Sequence, residues 1–207
     1  MWSVAQYGKW IGVGDASMAL ALYLGVFLLR HFHQDAEAGR FAFAQQLTLG
    51  FFAVYLAFYH TILPRAARIQ SVDDIGGFLR RVYRTALRLL VLMLIAIGLG
   101  AVLGPPLVAW IRPELDGFLA AFVMVSLFQV VLILEAPLGV ICQFMLRPRR
   151  HVFAMVVRVV AIAALGWLLI GPLGAFGAGL AQAGGAVLAV GVLAWLVGRA
   201  VAQGRTA

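Results

Sequence analysis

The chain has 207 residues, of which 64% are hydrophobic and only 12% charged, with a mean hydropathy of +1.00. A soluble domain clothes its surface with about 25% charged residues, so this composition excludes a water-soluble fold and points to lipid as the solvent. The formal charge is +8, and every basic residue but Lys9 is an arginine. These residues lie between apolar runs rather than on one face of a soluble module, which argues against nucleic-acid binding and for the positive-inside pattern of membrane proteins. The single cysteine, Cys142, rules out an internal disulfide and reads as packing.

Six apolar stretches approach the ~20 residues that a bilayer span requires. They cover about 10–29, 41–63, 89–111, 117–146, 152–170 and 175–197. Short alternating segments of the β-barrel kind are not seen. The expected fold is therefore all-α and integral to the membrane, one domain over 1–207 built as a six-transmembrane-helix bundle. The first stretch carries Asp15 near its start. Ala36-Glu37-Ala38 after it resembles a signal-peptidase site, but the polar run from Arg30 to Asp35 is long for a cleavage region, so the stretch is expected to stay.

Between the second and third stretches, Ser71 and Asp74 have the spacing of a helix cap with an acidic first turn. Leu79, Val82, Tyr83, Ala86 and Leu87 then follow helical spacing on one face, with Arg80, Arg81, Arg84 and Arg88 on the other. This predicts an amphipathic helix over about 72–88 that lies at the cytoplasmic interface and runs into the third span. Its arginines either contact lipid headgroups or form a solvated, topology-setting cluster. Pro105 and Pro106 close the third stretch, Glu135 and Pro137 interrupt the fourth, Arg158 sits in the fifth, and the last is rich in glycine and alanine, which favours close helix packing.

Orientation follows from the flanks. Lys9, Arg65, Arg68, the arginines of 80–88, Arg147, Arg149, Arg150, Arg199 and Arg205 fall on one side. The other side holds Arg30, Arg40 and Arg112 beside Asp35, Glu37, Glu114 and Asp116. Both termini are therefore expected in the cytoplasm.

Ionisable groups in hydrocarbon are costly and face a bundle interior or a wet cavity. Glu135 lies about 16 Å from the cytoplasmic end of its helix and Arg158 about 10 Å into the next from the same side. An arginine side chain bridges the difference, so an ion pair is expected, either locking the helical hairpin or forming a proton or cation site. Asp15 is an interfacial residue or a coupling acid. Arg40, Gln45 and Gln46 open the second span, with His60 deeper; they line a polar cavity able to hold an anion, or serve as an interfacial arginine with packing amides. Gln129 and Gln182 are expected to make hydrogen bonds between helices. His31-Phe32-His33 is a weak metal pattern without a third ligand, no Walker-type loop occurs, and no catalytic constellation is visible. Neither an enzyme nor a cofactor is expected.

Several segments in series carry a resemblance. Gly39-Arg-Phe-Ala-Phe-Ala opens a helix that ends in Ile62-Leu-Pro-Arg-Ala-Ala-Arg. Arg80-Arg-Val-Tyr-Arg-Thr-Ala-Leu-Arg follows, then Gln143-Phe-Met-Leu-Arg-Pro-Arg-Arg, and Gly174-Ala-Phe-Gly-Ala-Gly-Leu-Ala opens the last stretch. From about Trp10 to Arg199 the series resembles the C-terminal six-helix lobe of the polysaccharide-biosynthesis flippases, the lipid-linked oligosaccharide branch of the multidrug/oligosaccharidyl-lipid/polysaccharide exporter (MATE-like) superfamily. The resemblance implies transport without chemistry: alternating access that moves a polyprenyl-diphosphate-linked sugar across the bacterial cytoplasmic (inner) membrane. It makes Arg40, with Gln45 and Gln46, the candidate for engaging the diphosphate. Members usually carry two such lobes, so a single lobe implies a second, as a homodimer or a separately encoded chain. A cation-coupled drug exporter of the same superfamily would share the architecture and use Asp15 or Glu135. A non-transporting scaffold for glycan-synthesis enzymes would use the arginine-rich segment for docking.

Overall fold

The computed structural model describes residues 4–32, 34–69, 73–112, 115, 117–143 and 148–203. Among them it contains five helices: α1 (Val4–His31), α2 (Asp35–Ala66), α3 (Asp73–Ile111), α4 (Leu119–Ile141) and α5 (Pro148–Ala202). All five are long and apolar enough to cross a membrane. The proposed cap residue Ser71, and 144–146 at the end of the predicted fourth span, lie outside the described residues.

The predicted spans 152–170 and 175–197 are the two legs of α5, whose helical backbone is broken and reverses at Gly174 (φ 54°, ψ −133°). Only the four residues 171–174 separate them, so helical backbone runs almost up to the reversal on both sides. The two legs then pack antiparallel. A Cβ on Gly185 would sit 2.5 Å from Ile162 Cγ1 and 3.0 Å from the Arg158 carbonyl, and one on Gly184 would sit 2.9 Å from Leu165. Such approach is what small residues supply to helices in lipid. The reversal is held by the α1–α2 junction. Gln34 Nε2 donates to the Ile170 and Gly171 carbonyls at 3.4 Å, and the Ala175 N–H donates to Glu37 Oε2 at 3.1 Å. The last carbonyls of one leg and the first free N–H of the other thus gain partners that a helix end otherwise lacks.

The amphipathic stretch 72–88 runs into the span 89–111 as expected, the two forming one continuous helix, Asp73–Ile111. Its buried residues Ile75, Phe78, Val82, Ala86, Met93 and Ile97 keep helical spacing across both parts and face the core. Leu87, expected on the apolar face, is 57% exposed. The face is set by packing against α4, which Tyr83 reinforces by donating its hydroxyl to the Leu134 carbonyl at 3.1 Å, and so it is rotated from the one the periodicity favoured. Beyond Arg88 the outer side of α3 exposes Val91, Leu92, Ile95, Leu99, Val102 and Leu103, a surface suited to lipid.

The bundle is organised around α4. Of its most apolar window 61% is buried, against 17–33% in the other helices. It packs against α2, α3 and α5, while α1 packs chiefly on α5.

Candidate functional site

Helical spacing on each element turns a set of polar side chains toward one point. On α1, Asp15, Met18 and Leu22 share a face, as do Phe52, Tyr55, Tyr59 and His60 on α2, and His151, Met155 and Arg158 on α5. With Glu135 of α4 they line a cavity of about 550 Å³. The cavity reaches the surface, since Asp15, Tyr23, Leu56 and His60 on its wall are exposed.

At its inner end Arg158 Nη2 donates to Glu135 Oε2 in a salt bridge, with both side chains almost fully buried. Arg158 also directs Nη1 at the Met18 sulfur, 3.1 Å away, and so touches α1 as well as α4. Its Nε finds no partner among the described residues. His151 stands beside the pair with Nδ1 buried and likewise unpartnered, packed so closely on Gly139 that a Cβ there would lie 3.1 Å from its ring. On the α2 wall, aromatic rings form a run: Phe52 and Tyr55 stack with centroids 5.6 Å apart, Tyr55 and Tyr59 follow at 6.0 Å, and Tyr59 meets His60 edge-on at 5.9 Å. Tyr59 donates its hydroxyl to Gln143 Oε1 at 2.5 Å, fixing the end of α4 against α2.

Buried ions in this setting are stable only as a pair; the desolvation of one alone exceeds what its surroundings return. The Glu135–Arg158 pair therefore leaves the inner end close to neutral. Asp15, on the cavity wall, is exposed. Comparisons with protein-family models, with curated proteins and with solved structures find no match to this chain.

The residues expected to hold an anion stand elsewhere. Arg40 Nη1 donates to Glu37 Oε1 at 2.5 Å, and its side chain is 33% exposed. Through Glu37 it belongs to the clamp on the α5 reversal. Gln45 Nε2 donates to the Leu22 carbonyl, which also accepts from Gln182 Nε2 at 2.8 Å. This ties α1, α2 and α5 at one carbonyl. Gln46 points outward and is exposed. None of Arg40, Gln45 and Gln46 lines the cavity: all three lie nearer the start of α2 than its wall at Phe52–His60, and Gln45, though on the face of Phe52 and Tyr59, is taken by the Leu22 carbonyl. Gln182 makes the interhelical bond expected of it, whereas Gln129 is buried with Oε1 unpartnered among the described residues. His31 rests against Trp167, with ring centroids 5.3 Å apart, and His33 lies outside the described residues. His60 and His151 were read only as dispersed histidines and not as site residues, and Tyr55, Tyr59 and Met155 of the cavity wall were not singled out. His151, Met155 and Arg158 carried a usable signal in their i, i+4, i+7 spacing.

Proposed function

We propose that the chain is a membrane-transport lobe that flips polyprenyl-diphosphate-linked oligosaccharide from the inner to the outer leaflet of a bacterial cytoplasmic membrane. The reading joins the resemblance of the segments from Gly39 to Ala181 with one observation, a surface-reaching cavity into which Asp15, His60, Glu135, His151 and Arg158 are gathered inside an otherwise apolar bundle. Apolar side chains alone would make a tighter bundle, and polar groups in lipid mark pathways for substrates or ions. The cavity wall that carries Asp15 and His60 is open, so a second lobe is needed to complete a path shielded from lipid. A copy of this chain related by an axis along the membrane normal, or a separately encoded lobe, would supply it. The lobe performs no covalent chemistry, both termini face the cytoplasm, and the ligands are a lipid-linked glycan and the surrounding lipids.

A second reading, a cation-coupled drug exporter of the same architecture, is favoured by the presence of Asp15 and Glu135 in one cavity. Purified protein in liposomes separates the two. Leaflet exchange of a fluorescent polyprenyl-diphosphate sugar is the expected result. Drug efflux without lipid exchange would replace the first reading by the second, and neither activity would favour a scaffold role.

A further inference from the structure

Where the end of α2 approaches the start of α3, Arg65, Arg68 and Arg81 line a cavity of about 510 Å³ with Ile69, Phe78 and Val82. Asp74 is the one carboxylate among the described residues of that lining. The three arginines come from two segments of chain and converge on a shared space. Arg84 and Arg88, one and two turns further along α3, instead border an apolar depression with Leu87, Val91 and Leu92, to which no other segment contributes. Topology setting by the positive-inside rule asks only that basic residues lie on one side. It gives no reason for arginines of two separate helices to line one cavity together with Ile69, Phe78 and Val82.

We propose that this cavity binds a phosphate group presented at the membrane surface, the headgroup of an anionic lipid. Guanidinium groups match phosphate oxygens through paired N–H donors in a planar fork. The N-terminus of α3 lies at the same cavity and adds its positive dipole end. Ile69, Phe78 and Val82 offer apolar contact to the first carbons beyond the phosphate. Asp74 reduces the positive charge of the lining, which suits one or two phosphates better than a polyanion. Basic pockets at the cytoplasmic ends of spanning helices bind headgroups in this way. The same chemistry is offered by a bulk phospholipid, by an isoprenoid diphosphate and by free pyrophosphate, and it does not depend on glycan transport.

The test uses the full chain in phosphatidylcholine nanodiscs, with bound anion counted by native mass spectrometry. Short-chain phosphatidylglycerol, farnesyl diphosphate and inorganic pyrophosphate are titrated separately to identify the source. Two variants remove equal charge: Arg68→Gln with Arg81→Gln inside the cavity, and Arg84→Gln with Arg88→Gln outside it. All four side chains are exposed, so both variants keep the fold, checked by monodisperse elution. Each arginine removed from the cavity weakens binding of the recognised anion about fivefold, so the first variant loses roughly 25-fold and the second changes little. Equal losses in both variants would mean a diffuse basic surface and overturn the proposal, as would unchanged binding in the first.

Discussion

Replacing Arg158 by methionine removes a cation whose residue is 1% exposed and leaves Glu135, 3% exposed, without its partner. The transfer of an isolated carboxylate into such a site is prohibitive, so the fold either loosens or the carboxyl takes up a proton. Breaking one side of a buried pair destabilises by about 3–5 kcal/mol. Replacing both residues by apolar ones of similar size removes the problem and is about neutral. For a chain of this length 1 kcal/mol moves the melting temperature by roughly 2–4 °C, so Arg158→Met is expected to melt on the order of 10 °C below the parent. Glu135→Met combined with Arg158→Met should melt within a few degrees of it. Cys142 makes the measurement direct: it is the sole cysteine and has 0% exposure, so a thiol-reactive fluorophore reports its release on heating. If the double variant were as unstable as the single one, the loss would come from packing around Met18 and the charge argument would fail.

Gly174→Ala is expected to cost about 1–3 kcal/mol, since its φ of 54° is strained for alanine and a Cβ there would stand 3.0 Å from Glu37 Oε2; the same Cys142 melt reads it, and an unchanged transition would contradict the clamp. Glu37→Ala frees the Ala175 N–H and should cost about 1 kcal/mol as a lost cap, with little added by the part-exposed Arg40 pair. Gly185→Val overpacks the seam between the legs of α5 by about 1–3 kcal/mol, whereas Gly191→Ala, where a Cβ meets nothing within 4 Å, should be neutral or slightly stabilising. Asp15→Asn leaves stability within about 0.5 kcal/mol, as an exposed site does, and slows any cation-coupled transport measured in liposomes; normal coupling in that variant would remove Asp15 from the mechanism.

Apolar run length was enough to mark every helix, because the bilayer imposes one ruler on all of them. Depth along two adjacent helices was enough to set Glu135 opposite Arg158, since a short connection constrains both. Other features depend on contacts between distant segments and leave no local trace. The reversal at Gly174 appears in the sequence only as Gly171-Pro-Leu-Gly174, and its partners Gln34 and Glu37 are more than 130 residues away. The cavity draws on α1, α2, α4 and α5 together, so His60 and His151 acquire their setting only when α1 packs on α5 and α2 on α4. Arg40 was read from its place at a helix start, but its neighbour Glu37, three residues earlier, captured it. Helical periodicity located the buried stripe of α3 to within a residue or so, and Leu87 falls off it because packing against α4 sets the buried face.

Thiol labelling of intact cells with a membrane-impermeant reagent, in a Cys142→Ala background, addresses the foundation of the account most directly. Single cysteines at Asp35 and Arg112 should react from outside, while those at Arg68 and Gln203 should react only after permeabilisation. Reaction of Arg68 and Gln203 in intact cells would reverse or abolish the assumed threading through the bilayer, and the transport reading would fall with it.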